Sequence, residues 1–176
     1  MARKRLLLLG ESWVTSATHY KGFDQFGSTT YHLGAEPFVA ALKDRYDVDY
    51  MPSHLAATDL PLTAEGLSAW DVIVISDIGA NTLLLHPDVW LKGEARPNRL
   101  KLLRDWTARG GGLAMFGGYL TFQGIDGRGR WNKTPVEAAL PVTCLPYDDR
   151  IEVPDGFKPV VTGPADHPIL AGLGTD

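Results

Sequence analysis

The chain has 176 residues and a mass of 19.2 kDa, the size of one ordinary domain. Hydrophobic residues make up 44% and charged residues 22%, which is globular composition and argues against wholesale disorder. Seventeen basic against 21 acidic side chains leave a net charge of −4, so the chain has no fold-wide basic footprint for nucleic acid; a single cysteine, Cys144, excludes an internal disulfide framework and any multi-cysteine metal site.

The start of the chain imitates a signal peptide, with Arg3-Lys4-Arg5 ahead of Leu6-Leu7-Leu8-Leu9. Four apolar residues are too few for the hydrophobic region of a signal. No stretch approaches the roughly 18 apolar residues that span a bilayer. The expectation is a cytoplasmic protein with no membrane partner and a reduced Cys144.

In chain order, Arg3–Leu9 reads as a buried strand: short, continuously apolar and stopped by Gly10. Glu11–Tyr31 reads as a long polar and aromatic loop with Gly22 and Gly27 as breakers, and loops of that length are often functional. His32–Arg45 contains a helix starting near Ala35 with Pro37 in its first turn, and Leu33, Phe38, Ala41 and Leu42 share its apolar face. Tyr46–Tyr50 alternates like an edge-side strand, Met51–Pro61 reads as a loop, and Thr63–Ser68 as a short helical turn.

Trp70–Ile78 carries four consecutive β-branched residues, Val72-Ile73-Val74-Ile75, closed by Ser76-Asp77-Ile78-Gly79-Ala80-Asn81; this marks an interior parallel strand. A loop bearing Pro87, Gly93 and Pro97 leads to a helix capped by Asn98, striped by Leu100, Leu103 and Trp106, and ended by Gly110. Gly112–Phe116 is the next strand, followed by Gly117-Gly118. Beyond it come at most one short helix over Pro135–Leu140, short strands at Val142–Leu145 and Lys158–Thr162, and a turn with a short helix over Asp166–Leu173.

Alternating strands and helices predict an α/β domain: a flavodoxin-like, doubly wound parallel sheet with helices on both faces, residues 1–176 forming one domain. Only four core strands are marked, so a domain lacking its C-terminal strands is expected. Such sheets bind ligands beyond the carboxyl ends of their strands. Three ends converge there: Gly10, Glu11, Ser12 and Trp13; Ser76, Asp77, Gly79 and Asn81; and Gly117, Gly118, Tyr119, Thr121 and Gln123.

Several segments spread over most of the chain carry a resemblance: Gly10-Glu11-Ser12-Trp13, Ser76-Asp77-Ile78-Gly79-Ala80-Asn81, Gly117-Gly118-Tyr119-Leu120-Thr121-Phe122, Arg130-Trp131, Thr134-Pro135-Val136-Glu137 and Leu140-Pro141-Val142. They resemble the class I glutamine amidotransferase-like superfamily, within it a subgroup of uncharacterised glutamine amidotransferases. His167-Pro168-Ile169 with Gly172-Leu173 resembles an element of the related ThuA-like proteins. The resemblance implies the flavodoxin-like fold, further chain after that element, and a site at the carboxyl ends. Class I amidotransferases carry their nucleophilic cysteine in a Gly-x-Cys-x-Gly elbow. Here Gly117 matches the first glycine, Tyr119 falls at the cysteine and Thr121 at the last glycine. A phenol with a pKa near 10 is a weak nucleophile at neutral pH. No partner His-x-Glu pair is found in these 176 residues, and a pair beyond Asp176 stays open. These residues argue against glutamine hydrolysis by the usual route.

The expected function is therefore a small-molecule site without the nucleophilic cysteine, with Glu11, Asp77 and Tyr119 as acid, base and hydrogen-bond donor. Ser12, Trp13, Gly79, Asn81, Gly118 and Arg130 are the expected substrate-binding residues; no metal and no cofactor is expected. Structural readings stand beside these. Glu11 and Ser12 can cap the following segment, Asp77 and Asn81 can form an Asx-type turn, the Tyr119 ring can pack over the sheet end, and the Arg128, Arg130, Lys133 loop can be solvated surface. Cys144 lies in an apolar stretch without a nearby histidine and reads as structural. The five histidines are scattered, without the spacing of a zinc motif. The alternative function is a non-catalytic ligand-binding or oligomeric assembly module, with the aromatic-rich Trp13–Tyr31 stretch as a homo-oligomer interface.

Overall fold

A computed structural model describes residues 2–164 and 166–173. Four parallel strands form the sheet: β1 (Lys4–Gly10), β4 (Tyr46–Met51), β5 (Val72–Ser76) and β6 (Gly112–Phe116), in the order β4-β1-β5-β6. The register places Leu6 beside both Val48 and Val72, and Leu9 beside both Met51 and Ile75. Leu6 to Leu9 are at most 4% exposed, because side chains of one strand alternate between two covered faces.

Leu7, Leu9, Ile73 and Ile75 point into the larger core, closed by α2 (Ser53–Asp59), α3 (Ala64–Leu67), α4 (Ala80–Leu84) and α6 (Arg99–Ala108). Leu6, Leu8 and Val74 point the other way, where α1 (Glu36–Leu42) contributes Phe38, Val39 and Leu42. The expected doubly wound layering is present, and this second layer is the thinner one among the described residues. The helix after Gly34 starts where the proline requires, with Pro37 in its first turn. Asn98 caps α6, its side-chain oxygen accepting from the Leu100 and Lys101 amides at 3.0 and 3.1 Å.

The structure departs from the sequence reading in four places. Glu11–Tyr31 is not a loop. It forms an antiparallel hairpin of β2 (Ser12–Lys21) and β3 (Asp24–Leu33), with Gly22 at φ +66° opening a two-residue turn. Met51–Pro61 contains α2. The stretch before Asn98 contains α4 and α5 (Pro87–Lys92). The strands expected at Val142–Leu145 and Lys158–Thr162 do not form: prolines interrupt this part of the chain, and it contributes no strand to the sheet.

Arg99 is a polar hub in the apolar layer, 1% exposed. Its guanidinium donates to the carbonyls of Ala56, Ala57 and Leu60 at the end of α2, and of Thr82 and Leu83 in α4, at 2.5 to 3.4 Å. Carbonyls at helix C-termini have no intrahelical donor and carry partial negative charge, so a buried cation is accommodated there without a carboxylate partner.

Candidate functional site

The first and third core strands end on residues forced into uncommon backbone. Gly10 sits at φ +107°, where a side chain would strike the Ser76 carbonyl. Glu11 follows at φ +49° and Asp77, just past β5, at φ +44°. Non-glycine residues hold the left-handed region only where their surroundings over-determine it, and such positions cluster at functional sites. The Glu11 amide donates to the Ser76 carbonyl at 3.1 Å, and its carbonyl accepts from the Gly34 amide and the Tyr50 hydroxyl at 2.8 and 3.0 Å. These bonds clamp the turn.

Both carboxylates are half tied. Glu11 Oε1 accepts from the Ser76 hydroxyl, and Asp77 Oδ1 accepts from the Leu120 amide at 2.9 Å. Among the described residues nothing donates to Glu11 Oε2 or to Asp77 Oδ2. Gly118 is required beside them, since a Cβ there would lie 2.9 Å from Asp77 Oδ1. Glu11, Asp77, Gly118 and Tyr119 line one cavity of about 590 Å³, together with Thr121, Asp149, Arg150 and Glu152. The three predicted centres thus face one space at the carboxyl ends of adjacent strands.

The far wall comes from segments that were silent in the sequence. Asp149 accepts from the Gln123 and Gly124 amides at 2.8 and 2.7 Å, pinning the turn after Tyr119. Arg150 lies 5.5 Å over the half-exposed Tyr119 ring, a cation–π arrangement, and is held by a two-point ion pair to Asp148 and a contact to Glu152 at 3.1 Å. Its hydrogen bonds hold the Asp148 carboxyl well below the usual range, and the same pair raises the guanidinium pKa. Asp149, Arg150 and Glu152 follow a proline-rich stretch with no regular element, so no periodicity pointed to them. Two loops of the rim are bolted together by Trp131, which is fully buried and donates from its indole to the carbonyls of Ile78 and Leu120 at 3.1 and 3.2 Å.

The remaining predicted residues lie elsewhere. The Ser12 hydroxyl accepts from the Ser53 amide at 2.8 Å, and its carbonyl accepts from the Ser53 hydroxyl; it ties the hairpin base to the start of α2. Ser12 and Trp13 line a second, apolar cavity of about 450 Å³ with Val14, Tyr31, Ser53 and His54. Gly79 packs against the backbone of Arg128 and Gly129, Asn81 lies in the first turn of α4, and Arg130 is exposed; none of the three lines either cavity. Cys144 is buried beside the main core, its carbonyl accepting from the Asn132 amide group at 2.6 Å, and burial pushes its thiol up to about 11. Among the described residues no group of three His, Cys, Asp or Glu side chains is placed to hold a metal ion.

A family model described as "Putative glutamine amidotransferase" matches residues 5–176. The chain belongs to this glutamine amidotransferase-like family. Two solved structures resemble the member described above. The Cytoplasmic Protein STM3548 from Salmonella typhimurium is 39% identical, with a TM-score of 0.89 over 96% of this chain and 69% of its own. The Cytoplasmic Protein STM1381 from Salmonella typhimurium LT2 is 45% identical, with a TM-score of 0.82 over 86% of this chain and 62% of its own. The amidotransferase-like chain therefore spans roughly two thirds of the length of these relatives. No curated protein matches it.

Proposed function

We propose that the cavity beyond β1, β5 and β6 is the site of a small-molecule enzyme that does not use a cysteine nucleophile. The observation that carries this reading is the pair of left-handed carboxylate residues, Glu11 and Asp77, at the ends of neighbouring strands and on one cavity wall. Each keeps one oxygen fixed and one oxygen available, as a general acid or base requires. Tyr119 stands where amidotransferases of this superfamily hold their cysteine, and its phenol supplies a hydrogen-bond donor rather than a thiolate. Cys144 is buried away from the cavity and protonated at neutral pH, so it offers no substitute.

The lining also suggests the kind of substrate. Glu11, Asp77, Asp149 and Glu152 outnumber Arg150, whose charge is already engaged by Asp148. A negative cavity favours a polar molecule bearing an amine or another cationic group and disfavours phosphate esters. We place this chemistry in the cytoplasm, in line with the description of the two Salmonella proteins. Kinship with ThuA-like proteins rests on His167-Pro168-Ile169 and Gly172-Leu173 and belongs to the same reading.

The test is a thermal-shift and turnover screen of amines, amino acids, amides and phosphate esters. Amine-bearing compounds should stabilise the wild type; Glu11→Gln and Asp77→Asn should each weaken that binding about tenfold or more, and Tyr119→Phe should reduce turnover more than binding. No ammonia should be released from glutamine. Ligands that bind both carboxylate variants as tightly as wild type, or a set of ligands dominated by phosphate esters, would overturn the assignment.

A further inference from the structure

The hairpin of β2 and β3 is the largest feature that the proposed site does not use. Its ten-residue strands run about 34 Å from base to tip. Side chains directly opposite in the register share a face. One face carries Val14, Tyr20, Tyr31 and Leu33. The other carries the stacked pairs Trp13–His32 and His19–Phe26. Val14, Tyr20, Phe26 and Leu33 are more than half exposed, and Phe23 at the tip is fully exposed.

Charge is nearly absent. Residues 12–33 contain only Lys21 and Asp24, which face each other beside the turn, whereas the chain average would place about five charges there. An exposed ribbon with two open edges, many aromatic side chains and so little charge is an aggregation hazard unless a specific partner covers it. An anionic or membrane partner is disfavoured, since only Lys21 supplies positive charge along the arm.

A complementary hole lies at the base of the same hairpin. The apolar cavity of about 450 Å³ at that base is lined by Val14 and Tyr31 on the first face and by His54 on α2, whose ring meets Tyr31 edge-on, and it is large enough for a phenyl ring. The tip cannot reach the base of its own arm. A twofold axis across the middle of the hairpin, by contrast, brings each tip to the other copy's base and closes the contact in a single step. The first faces of the two arms then lie against each other. The ribbon face is about 34 by 10 Å, and two such faces with two seated tips reach the ~1,000 Å² total expected of a specific interface.

We propose that the hairpin is a dimerisation arm: two copies of this chain pack their arms antiparallel, with Phe23 of each inserted into the Val14, Tyr31, His54 hole of the other. Arm exchange of this kind needs nothing from the proposed active site and stands independently of it.

Light scattering after size exclusion at micromolar concentration tests the arrangement. Wild type is expected at twice the chain mass of 19.2 kDa. Phe23→Asp and Val14→Asp should each give the monomer, with an unchanged circular-dichroism spectrum because both positions are exposed. In a mixture of Phe23→Cys and His54→Cys chains, a short bis-maleimide should join one variant to the other. A monomeric wild type overturns the proposal, as does a dimer that survives both aspartate substitutions or a mixture in which the two variants are not cross-linked. Retained dimerisation with cross-linking only between like variants would assign the interface to another surface and equally refute it.

Discussion

Replacing Arg99 with leucine removes the cation that joins α2 to α4 while keeping an apolar side chain in the layer. Five main-chain oxygens lose their donor at once, and the carbonyls of Ala56, Leu60 and Leu83 meet the guanidinium in fully buried surroundings. A single buried carbonyl left without a donor costs about 1–3 kcal/mol. Some of the five relax toward water at the edge, so the sum is not additive, and a loss of about 3–5 kcal/mol is expected. For a domain of this size that corresponds to a fall in Tm of roughly 6–20 °C. Arg99→Lys keeps the charge but offers three donors from one nitrogen, so it should fall between leucine and wild type. Urea unfolding followed by tryptophan fluorescence gives both differences. If the leucine variant lies within about 1 kcal/mol of wild type, the carbonyls do not depend on the guanidinium and the reasoning about helix ends is wrong.

Two further outcomes follow from ionisation. Cys144 should resist a thiol reagent at pH 8 in the native state and react only on unfolding, since its folded pKa of about 11 leaves almost no thiolate; rapid native labelling would contradict its burial. Asp88 is held down to about 2 by hydrogen bonds from Lys92 and Arg96. A carboxyl depressed in the fold contributes stability above its unfolded pKa near 4 and loses it as pH falls through about 2. Asp88→Asn should therefore flatten the pH dependence of unfolding between pH 4 and 2, as urea midpoints across that range would show.

The strands of the sheet were readable because burial on both faces turns a strand into an unbroken apolar run, as in Leu6–Leu9 and Val72–Ile75. The α6 helix was readable because Asn98 marks its start and Leu100, Leu103 and Trp106 mark its buried side. The hairpin was not, since both its faces meet solvent and no apolar alternation is imposed on Ser16, Thr18, Gly27 and Thr29; Gly22-Phe23 was its one turn signal. The α2 helix escaped notice for a similar reason: it is seven residues long, has no side-chain cap, and buries only Ala56. At the site, topology alone brought Glu11, Asp77 and Tyr119 to one cavity. Asp149 and Arg150 arrive from irregular chain, where no spacing rule applies. Trp131 serves as a strut, a role that depends on the Ile78 and Leu120 carbonyls and leaves no mark in its own neighbourhood of sequence.

The Trp131 strut has a wider consequence. Its indole, the Asp149 carboxylate and the Asp77 carboxylate all grip main-chain atoms of the rim, so the outline of the recess is drawn by backbone. Exchanging Tyr119 or Glu152 alters what the recess presents without loosening those grips. A scaffold arranged in this way separates shape from reactivity, and new chemistry can be installed on it one side chain at a time.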